Sequence, residues 1–181
     1  FGKKLREKLA HDPDPKASAE EYLKLFVEDR KEHLRHAILP ALARGEIVLC
    51  DRYKHSTIAF QCAQGIPARR IIKMHETLPA PDLTIILDVP VQTALERMST
   101  RQKKEKFEKL EFMKILRKNY LALPKMLSGE NVKIINASKP VEKVFAQALK
   151  LVEKLPCPHA IKENKNHKAH KNNFPEHKAN F

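Results

Sequence analysis

The sequence has 181 residues, of which 35 are Lys or Arg and 22 are Asp or Glu, so its formal net charge is +13 at pH 7. This length predicts one domain with a substantial core, and no apolar run approaches the about 20 residues that a membrane-spanning helix needs. The positive charge indicates an anionic partner, either a nucleic acid or a ligand with several phosphates. Cys50, Cys62 and Cys157 form no paired motif, so we interpret them as reduced thiols of a cytosolic protein and not as metal ligands.

The first part of the chain predicts a long helix followed by a strand. A capping box of Ser18 and Glu21 begins the helix. Pro40 is expected to kink or end this helix before Gly45. The apolar run 47–50, which is rich in β-branched residues, predicts a buried central strand of a parallel sheet.

The rest of the chain alternates helices with two more apolar runs. Residues 83–89 and 132–137 are the predicted second and third strands, both buried and parallel. Helices are predicted around them, over residues 68–77, 93–101, 107–126 and 140–155. This alternation predicts a three-layer α/β fold for a domain over residues 1–155. Residues 156–181 are rich in Lys, Asn and His and are predicted to be a disordered tail.

Polar residues follow the first predicted strand at its carboxyl end. Asp51 and Arg52 stand where open α/β sheets bind their ligands, although a strand-end salt bridge is the plainer interpretation. The next segment favours a ligand, because helical spacing brings two hydroxyls, an aromatic ring and an amide near one wall. These residues are Ser56, Thr57, Phe60 and Gln61. Such a wall suits a planar polar ligand.

Three other features bear on ligand binding. Phe26 and Arg30 are four residues apart and share a helix face, although a Phe at such a position is more often part of the core. Residues 101–118 contain eight basic and three acidic side chains, which indicates either a phosphate site or a solvated helix face. Asp88, at the end of the second strand, is interpreted as a loop cap in preference to a site residue.

The segment D-R-Y-x-x-S-x-x-A-F-Q at residues 51–61 resembles the signature of the thymidylate kinases, which phosphorylate dTMP to dTDP with ATP. Three further stretches agree with that family in order and spacing: residues 26–30, residues 81–89 with 94–97, and residues 112–120. The resemblance runs over residues 1–155. It implies the parallel sheet of a P-loop nucleoside monophosphate kinase, with three of its five strands present, and a homodimer.

The resemblance also implies roles for residues of the acceptor site. Phe26 would stack on the thymine ring and Arg30 would hydrogen-bond its O4. Arg52 would hold the acceptor phosphate, since a guanidinium group matches phosphate oxygens in pairs, and with Asp51 it is a catalytic candidate. Four more residues are implied around dTMP: Ser56 and Thr57 near the base, Phe60 near the sugar and Tyr120 over the base.

On the ATP side, the resemblance implies that Arg101 stacks on the adenine and that Ser138 and Lys139 border it. Arg117 is the candidate for contacts with the phosphates. Asp51 would hold a Mg²⁺ ion through water, as suits a hard cation with oxygen ligands.

The phosphate-binding pattern G-x-x-x-x-G-K-[ST] does not occur in these 181 residues, whose four glycines cannot begin it. We therefore expect a thymidylate kinase that lacks its first βαβ unit, and an incomplete sequence more readily than an evolved variant. The chain by itself is expected to be inactive. A non-catalytic nucleotide-binding protein is the alternative. A basic nucleic-acid-binding domain is a third interpretation, but it would need more aromatic residues among the basic ones.

The missing unit predicts a gap in the sheet. In this family the first strand is implied to lie between the strand that ends in D-R-Y and the strand over residues 83–89. Residues 47–50 and 83–89 should therefore be separated by two strand spacings, about 9–10 Å. Residues 83–89 and 132–137 should pair directly and in parallel.

Overall fold

The computed structural model of the chain describes residues 11, 12, 14, 17–99 and 110–156. Helices and strands alternate along it, which confirms the predicted α/β class. The elements are α1 (Ala19–His33), a π-helical turn (Leu34–Ile38), α2 (Leu39–Ala43), α3 (Lys54–Ala63), α4 (Ala68–Met74), β1 (Thr84–Asp88), α5 (Val91–Ser99), α6 (Leu110–Met126), β2 (Val132–Asn136) and α7 (Val141–Val152).

The two strands pair in parallel, with Thr84 opposite Val132 and Asp88 opposite Asn136 at the two ends of the register. Both strands begin and end within a residue of the predicted bounds, because both are continuous apolar runs rich in β-branched residues. Just past the ladder, the Ala137 N–H donates to the Asp88 carbonyl oxygen at 2.8 Å. The predicted parallel pairing of the second and third apolar runs is therefore confirmed.

The prediction of a buried central strand over residues 47–50 is wrong for this structure. Among the described residues the sheet has two strands, and residues 47–50 belong to neither. Ile47 is 85% exposed and Leu49 is 98% exposed. A strand exists only through ladder bonds to a neighbour, and this run has no neighbour in the described part of the chain. The distance of two strand spacings from β1 stays a prediction.

The first helix departs from prediction at both ends. Ser18 is its N-cap residue, but the Ser18 side chain makes no capping hydrogen bond, so the predicted capping box is not formed. Towards its C-terminus the helix changes to the π-helical turn and continues through Pro40 to Ala43. The wider turn accommodates the Pro ring, which lacks an N–H group. Gly45 follows at φ 76°, a left-handed conformation that suits Gly.

The main core joins α1, α3, α4, α6 and the sheet. Its most deeply buried members come from four different helices: Leu23, Ala59, Ile71 and Leu123, each with 0% exposure. A smaller cluster of Leu34, Ile38 and Leu78 packs beside Tyr53. Helix α3 is thus buried on several sides, and it directly follows the predicted ligand-binding residues.

Some predictions fall outside the described residues. These are the position of Arg101, the setting of Cys157 and almost all of the predicted tail over residues 156–181. The helix predicted from residue 107 is described from Leu110 onwards. Within the described ranges, no helix combines the length and the apolar character that crossing a membrane requires.

Candidate active site

Asp51 and Arg52 lie in an exposed loop immediately before α3. Arg52 has φ 65°, and it is the one residue other than Gly with a positive φ among those described. Its carbonyl oxygen accepts a hydrogen bond from the Cys50 thiol at 3.3 Å. A left-handed conformation costs a residue with a Cβ about 1–2 kcal/mol, and such strain concentrates at functional sites. The backbone therefore presents Arg52 to solvent in a conformation that the residue would not adopt by itself.

Arg30 of α1 reaches the start of α3. Its Nη2 atom donates to Thr57 Oγ1 at 3.2 Å, and its guanidinium carbon lies 5.0 Å from the centroid of the Tyr53 ring. The ring distance is within the range of a cation–π contact. We call Arg30, Tyr53 and Thr57 the arginine cluster. The structure brings together Arg30 and Thr57, two residues that were assigned to the same base.

The arginine cluster leaves one N–H group available. Arg30 Nε is buried and has no hydrogen-bond partner among the described residues. Burial lowers the pKa of the Arg30 guanidinium from its ordinary value, and the neighbouring Tyr53 offsets only part of this effect. An unsatisfied buried donor is costly, so this atom is suited to a polar ligand or an ordered water.

The other candidate residues for dTMP binding lie on α1, α3 and α6. Phe26 and Ser56 are half-buried. Phe60 is also half-buried and meets Phe112 edge-on, with ring centroids 5.2 Å apart. Tyr120 packs against the main core. The ligand contacts assigned to these four residues stay predictions.

Gln61 does not belong to a ligand wall. Its side chain is 1% exposed, and its amide nitrogen donates to the Ala19 carbonyl oxygen at 2.9 Å. It therefore joins α3 to the first turn of α1, and the inclusion of Gln61 in the predicted wall is wrong.

A charged cluster lies at the beginning of α3. Lys54 Nζ is 2.8 Å from Glu130 Oε1, and His55 Nε2 is 3.0 Å from Glu130 Oε2. The three side chains are only 7%, 13% and 5% exposed for Lys54, Glu130 and His55. We call these residues the Glu130 cluster. The sequence gave no indication of it, because its basic and acidic members are 75 residues apart and neither belongs to a periodic pattern.

Two imidazoles near this cluster are buried. His55 Nδ1 has no hydrogen-bond partner among the described residues, and neither has His75 Nε2. His75 donates instead from Nδ1 to the Ile71 carbonyl oxygen at 2.8 Å. Burial lowers the pKa of both imidazoles, and Glu130 only partly offsets this for His55. Both rings are therefore neutral at pH 7.

On the other side of the sheet, Arg117 of α6 binds Asp88 with two hydrogen bonds, Nε to Oδ1 at 2.7 Å and Nη2 to Oδ2 at 3.0 Å. The interpretation of Asp88 as a loop cap is therefore wrong, since its carboxylate oxygens accept from Arg117. This guanidinium lowers the pKa of the Asp88 carboxyl. The role of Arg117 in binding phosphates stays a prediction.

The loop after β2 holds the remaining candidates for ATP binding. Ser138 and Lys139 are exposed, and the Ser138 N–H donates to Asn136 Oδ1 at 2.8 Å. Arg97 of α5 donates from both terminal nitrogens to the Ala137 carbonyl oxygen, at 3.1 and 3.2 Å. These bonds fix the shape of the loop and leave the Lys139 side chain directed to solvent.

No group of three or more His, Cys, Asp or Glu side chains that could hold a metal ion occurs among the described residues. Asp51 is a single exposed carboxylate. Mg²⁺ is commonly held by one or two carboxylates, several waters and the phosphates of a substrate. Asp51 therefore fits an ion that arrives with a nucleotide, and does not fit a cage made by the protein alone.

A parallel strand pair flanked by helices, with a buried arginine at the start of a helix beside it, is typical of α/β nucleotide kinases. Comparison with known proteins narrows this class. The family described as thymidylate kinase matches residues 1–148. The chain belongs to the thymidylate kinase family, whose members are nucleoside monophosphate kinases of the P-loop fold.

Individual relatives agree with this assignment. A probable thymidylate kinase of Archaeoglobus fulgidus is 43% identical over 154 residues, which are 84% of this chain and 74% of the relative. One of Pyrococcus abyssi is 36% identical over 157 residues, 84% of this chain and 76% of the relative. One of Methanococcus maripaludis is 37% identical over 166 residues, 86% of this chain and 79% of the relative.

Proposed function

We propose that the arginine cluster and the loop before α3 form the acceptor site for dTMP, and that the function of this site is the transfer of the γ-phosphoryl group of ATP to dTMP. The observation that carries the proposal is the setting of Arg30. It is buried between Tyr53 and Thr57, and its Nε–H has no partner among the described residues. A pyrimidine with a carbonyl oxygen at position 4 offers the acceptor that this group lacks.

The base of dTMP is recognised by residues of α1 and α3 in this proposal. Arg30 donates to O4 of the thymine, and the half-buried Phe26 ring stacks on the base. Ser56 and Thr57 lie along the edge of the base, Phe60 lies near the sugar and Tyr120 closes over the ring. Cytosine carries an amino group at the same position, which cannot accept from Arg30. The site therefore prefers thymine to cytosine.

Arg52 holds the phosphate of dTMP. A guanidinium group bonds two phosphate oxygens at once, and its charge compensates the charge that develops during transfer. An oxygen of the dTMP phosphate attacks the γ-phosphorus of ATP, and the bond from the γ-phosphorus to the bridging oxygen breaks, which leaves ADP and dTDP. We expect Arg30 and Arg52 to face a common cleft. Positioning and charge stabilisation account for most of the catalysis in such reactions.

ATP lies on the other side of the transferred group, bordered by Ser138 and Lys139, with Arg101 on the adenine and Arg117 near the phosphates. For Arg117 to bind phosphate, its two bonds to Asp88 must be exchanged for phosphate oxygens. Asp51 holds, through water, the Mg²⁺ ion that accompanies ATP. When bound, this ion neutralises part of the charge on the phosphates.

The same proposal includes the setting of the enzyme. It acts in the cytoplasm, as three cysteines in unlike settings suggest, and as a homodimer, as the family resemblance implies. Residues 47–50 pair as a strand within a larger parallel sheet of five strands. That pairing would cover apolar side chains that are exposed in the described chain, among them Ile47 and Leu49.

Calorimetric titration of the purified chain tests the acceptor site. We expect dTMP to bind at least ten times more tightly than dCMP, and Arg30→Met to remove most of this preference. Arg52→Ala should weaken dTMP at least tenfold without changing the binding of thymidine, which has no phosphate. Lys118→Ala, an exposed residue of α6, is the control. Equal affinity for dTMP and dCMP, or equal effects of Arg52→Ala and Lys118→Ala, would contradict the proposed site.

Phosphoryl transfer itself is measured as dTDP formation from ATP and dTMP. If the 181-residue chain formed dTDP at an appreciable rate, the expectation that it is inactive would be wrong and the proposed reaction would be supported.

A further inference from the structure

We propose that Glu130 is a positioning residue that orders the acceptor site by binding the first two residues of α3. The consequence for dTMP affinity rests on the proposed function, whereas the consequence for the order of the site does not. Glu130 lies outside the motifs that carry the family resemblance, and it reaches the site only through Lys54 and His55.

The Glu130 carboxylate serves both basic side chains at once. One oxygen takes the Lys54 ammonium group at 2.8 Å and the other accepts from His55 Nε2 at 3.0 Å. All three side chains are almost completely buried. A buried charge without a partner is strongly unfavourable. The Lys54 ammonium group therefore cannot remain in this place without the carboxylate, and the beginning of α3 depends on it.

This dependence extends to the arginine cluster. Tyr53, directly before Lys54, is the N-cap residue of α3, but its side chain makes no capping hydrogen bond. Thr57 lies about one turn after the cap. Tyr53 and Thr57 are the two residues that hold Arg30. With no side-chain cap to hold the helix terminus, the Glu130 cluster fixes where both partners of Arg30 lie.

Glu130 is itself held firmly to the sheet. Its N–H donates to the Leu127 carbonyl oxygen at 2.8 Å, and its own carbonyl oxygen accepts from Val132 at 3.0 Å. The next residue, Asn131, accepts from the Thr84 N–H and donates from its side chain to the Asp82 carbonyl oxygen, both at 2.9 Å. The carboxylate therefore has a fixed position at the amino end of both strands.

The state of His55 also matters. The groups that face it are Glu130, Lys54, Arg30 and the Thr84 hydroxyl, the last at 3.3 Å from Nε2. A neutral ring donates from Nε2 to Glu130 and leaves the buried Nδ1 without a proton. A second proton would place an unpaired N–H beside two cations. The Glu130 cluster is therefore expected to weaken in acid.

Amide hydrogen exchange followed by mass spectrometry tests the inference without any ligand. In Glu130→Gln, peptides covering residues 51–57 should exchange at least tenfold faster than in the wild type, while peptides within α7 should stay within twofold. The matched control is Glu32→Gln. Glu32 also bridges two basic residues, Arg35 at 2.8 Å and His36 at 3.1 Å, but on the surface. It should change neither region.

A second variant, Lys54→Met with Glu130→Gln, removes the unpaired ammonium group if Glu130→Gln proves too unstable to purify. It should still loosen residues 51–57, because the link to the sheet is lost. Wild-type protection of residues 51–57 in both variants would overturn the inference. So would equal acceleration throughout the chain, since that indicates a general loss of stability.

Binding of dTMP at pH 8.0 and 5.5 gives the functional readout. His55→Gln keeps a neutral donor near the position of Nε2 but cannot take up a proton. We expect acid to weaken dTMP at least threefold more in the wild type than in His55→Gln, while the phosphate of dTMP titrates equally with both. Equal pH dependence would overturn the role of the cluster in binding. If the wild type bound no dTMP at all, the proposed function would fail and the exchange experiment would still decide the inference.

Discussion

Helices α3 and α7 differ in a direction opposite to their composition. Helix α3 is the more polar of the two, yet six of its ten residues are buried, four of them polar or charged: Lys54, His55, Thr57 and Gln61. Helix α7 is the more apolar, yet none of its residues is buried. Four of its large apolar residues form one exposed side: Val141, Phe145, Leu149 and Val152.

The partners of each helix explain this difference. Each buried polar group of α3 meets a specific partner, such as Glu130 for Lys54 and the Ala19 carbonyl oxygen for Gln61. Such burial is worthwhile only where the geometry of the residues matters, because apolar residues would pack at less cost. The exposed side of α7 is a contiguous apolar surface, which in proteins marks a place of contact with something else. Burial in this chain therefore follows the site and not hydrophobicity.

The largest expected effect compares one leucine from each region. Leu23 of α1 is 0% exposed and packs in the core against α3, whereas Leu149 of α7 is 43% exposed. Leu23→Ala should lower the free energy of unfolding by about 2–5 kcal/mol, since it leaves a cavity. Leu149→Ala should lower it by less than about 1 kcal/mol. Urea unfolding of both variants measures the two values, and similar losses would mean that α7 is as well packed as α3.

A smaller effect, of opposite sign, is expected at the loop before α3. Arg52→Gly removes the cost of the left-handed conformation and should raise the free energy of unfolding by about 1 kcal/mol. It should also abolish the tight binding of dTMP. Gly45→Ala is the matched control. It has φ 76° and nothing within 4 Å of a new Cβ, so it should cost a similar amount through the backbone alone. If Arg52→Gly were destabilising, the strain at this residue would be in doubt.

The Asp88–Arg117 pair is expected to contribute less, because both side chains reach solvent. Arg117 lowers the folded-state pKa of Asp88, so the pair stabilises the protein above the ordinary carboxyl pKa of about 3.9, and this stabilisation is lost as the pH falls through the folded-state value. Asp88→Asn should slightly lower the urea midpoint at pH 7 and leave it unchanged near pH 2. Glu111→Gln, which removes an exposed pair with Lys114, is the control. A loss that persisted in acid would have another cause.

The smallest change in stability is expected on the exposed side of α7. Phe145 is 66% exposed, so Phe145→Ser should change the free energy of unfolding by less than about 0.5 kcal/mol. It should nevertheless reduce association between chains, measured by size-exclusion chromatography with light scattering, because it interrupts the apolar surface. Glu142→Ser on the same helix should not reduce association. Unchanged association of Phe145→Ser would show that this surface is not the one through which chains meet.

What the sequence could predict depended on whether the information is local. The apolar runs of β1 and β2 and the periodicity of α7 depend on neighbouring residues, and these elements were placed within one to three residues of their observed ends. Residues 47–50 have the same apolar character, but a strand also requires a partner, and the run itself does not indicate whether one is present.

The site divides in the same way. Arg30 and Thr57 were assigned to one base through a resemblance of motifs, and they lie in contact. Glu130 could not be found, because an ion pair that joins distant parts of the chain leaves no spacing to recognise. Asp88 was misinterpreted for a related reason. A carboxylate that ends a strand is equally compatible with a loop cap and with a distant arginine, and only the tertiary structure decides between them.

The distance along the chain between His55 and Glu130 has a consequence for synthesis. A ribosome that adds about 5–20 residues per second needs on the order of 4–15 s to pass through the 75 residues between them. Throughout that interval Lys54 and His55 have emerged but their carboxylate has not. The beginning of α3 cannot take its final place in the nascent chain until Glu130 is made. The nucleotide site is thus completed late in translation, after most of the helices that surround it.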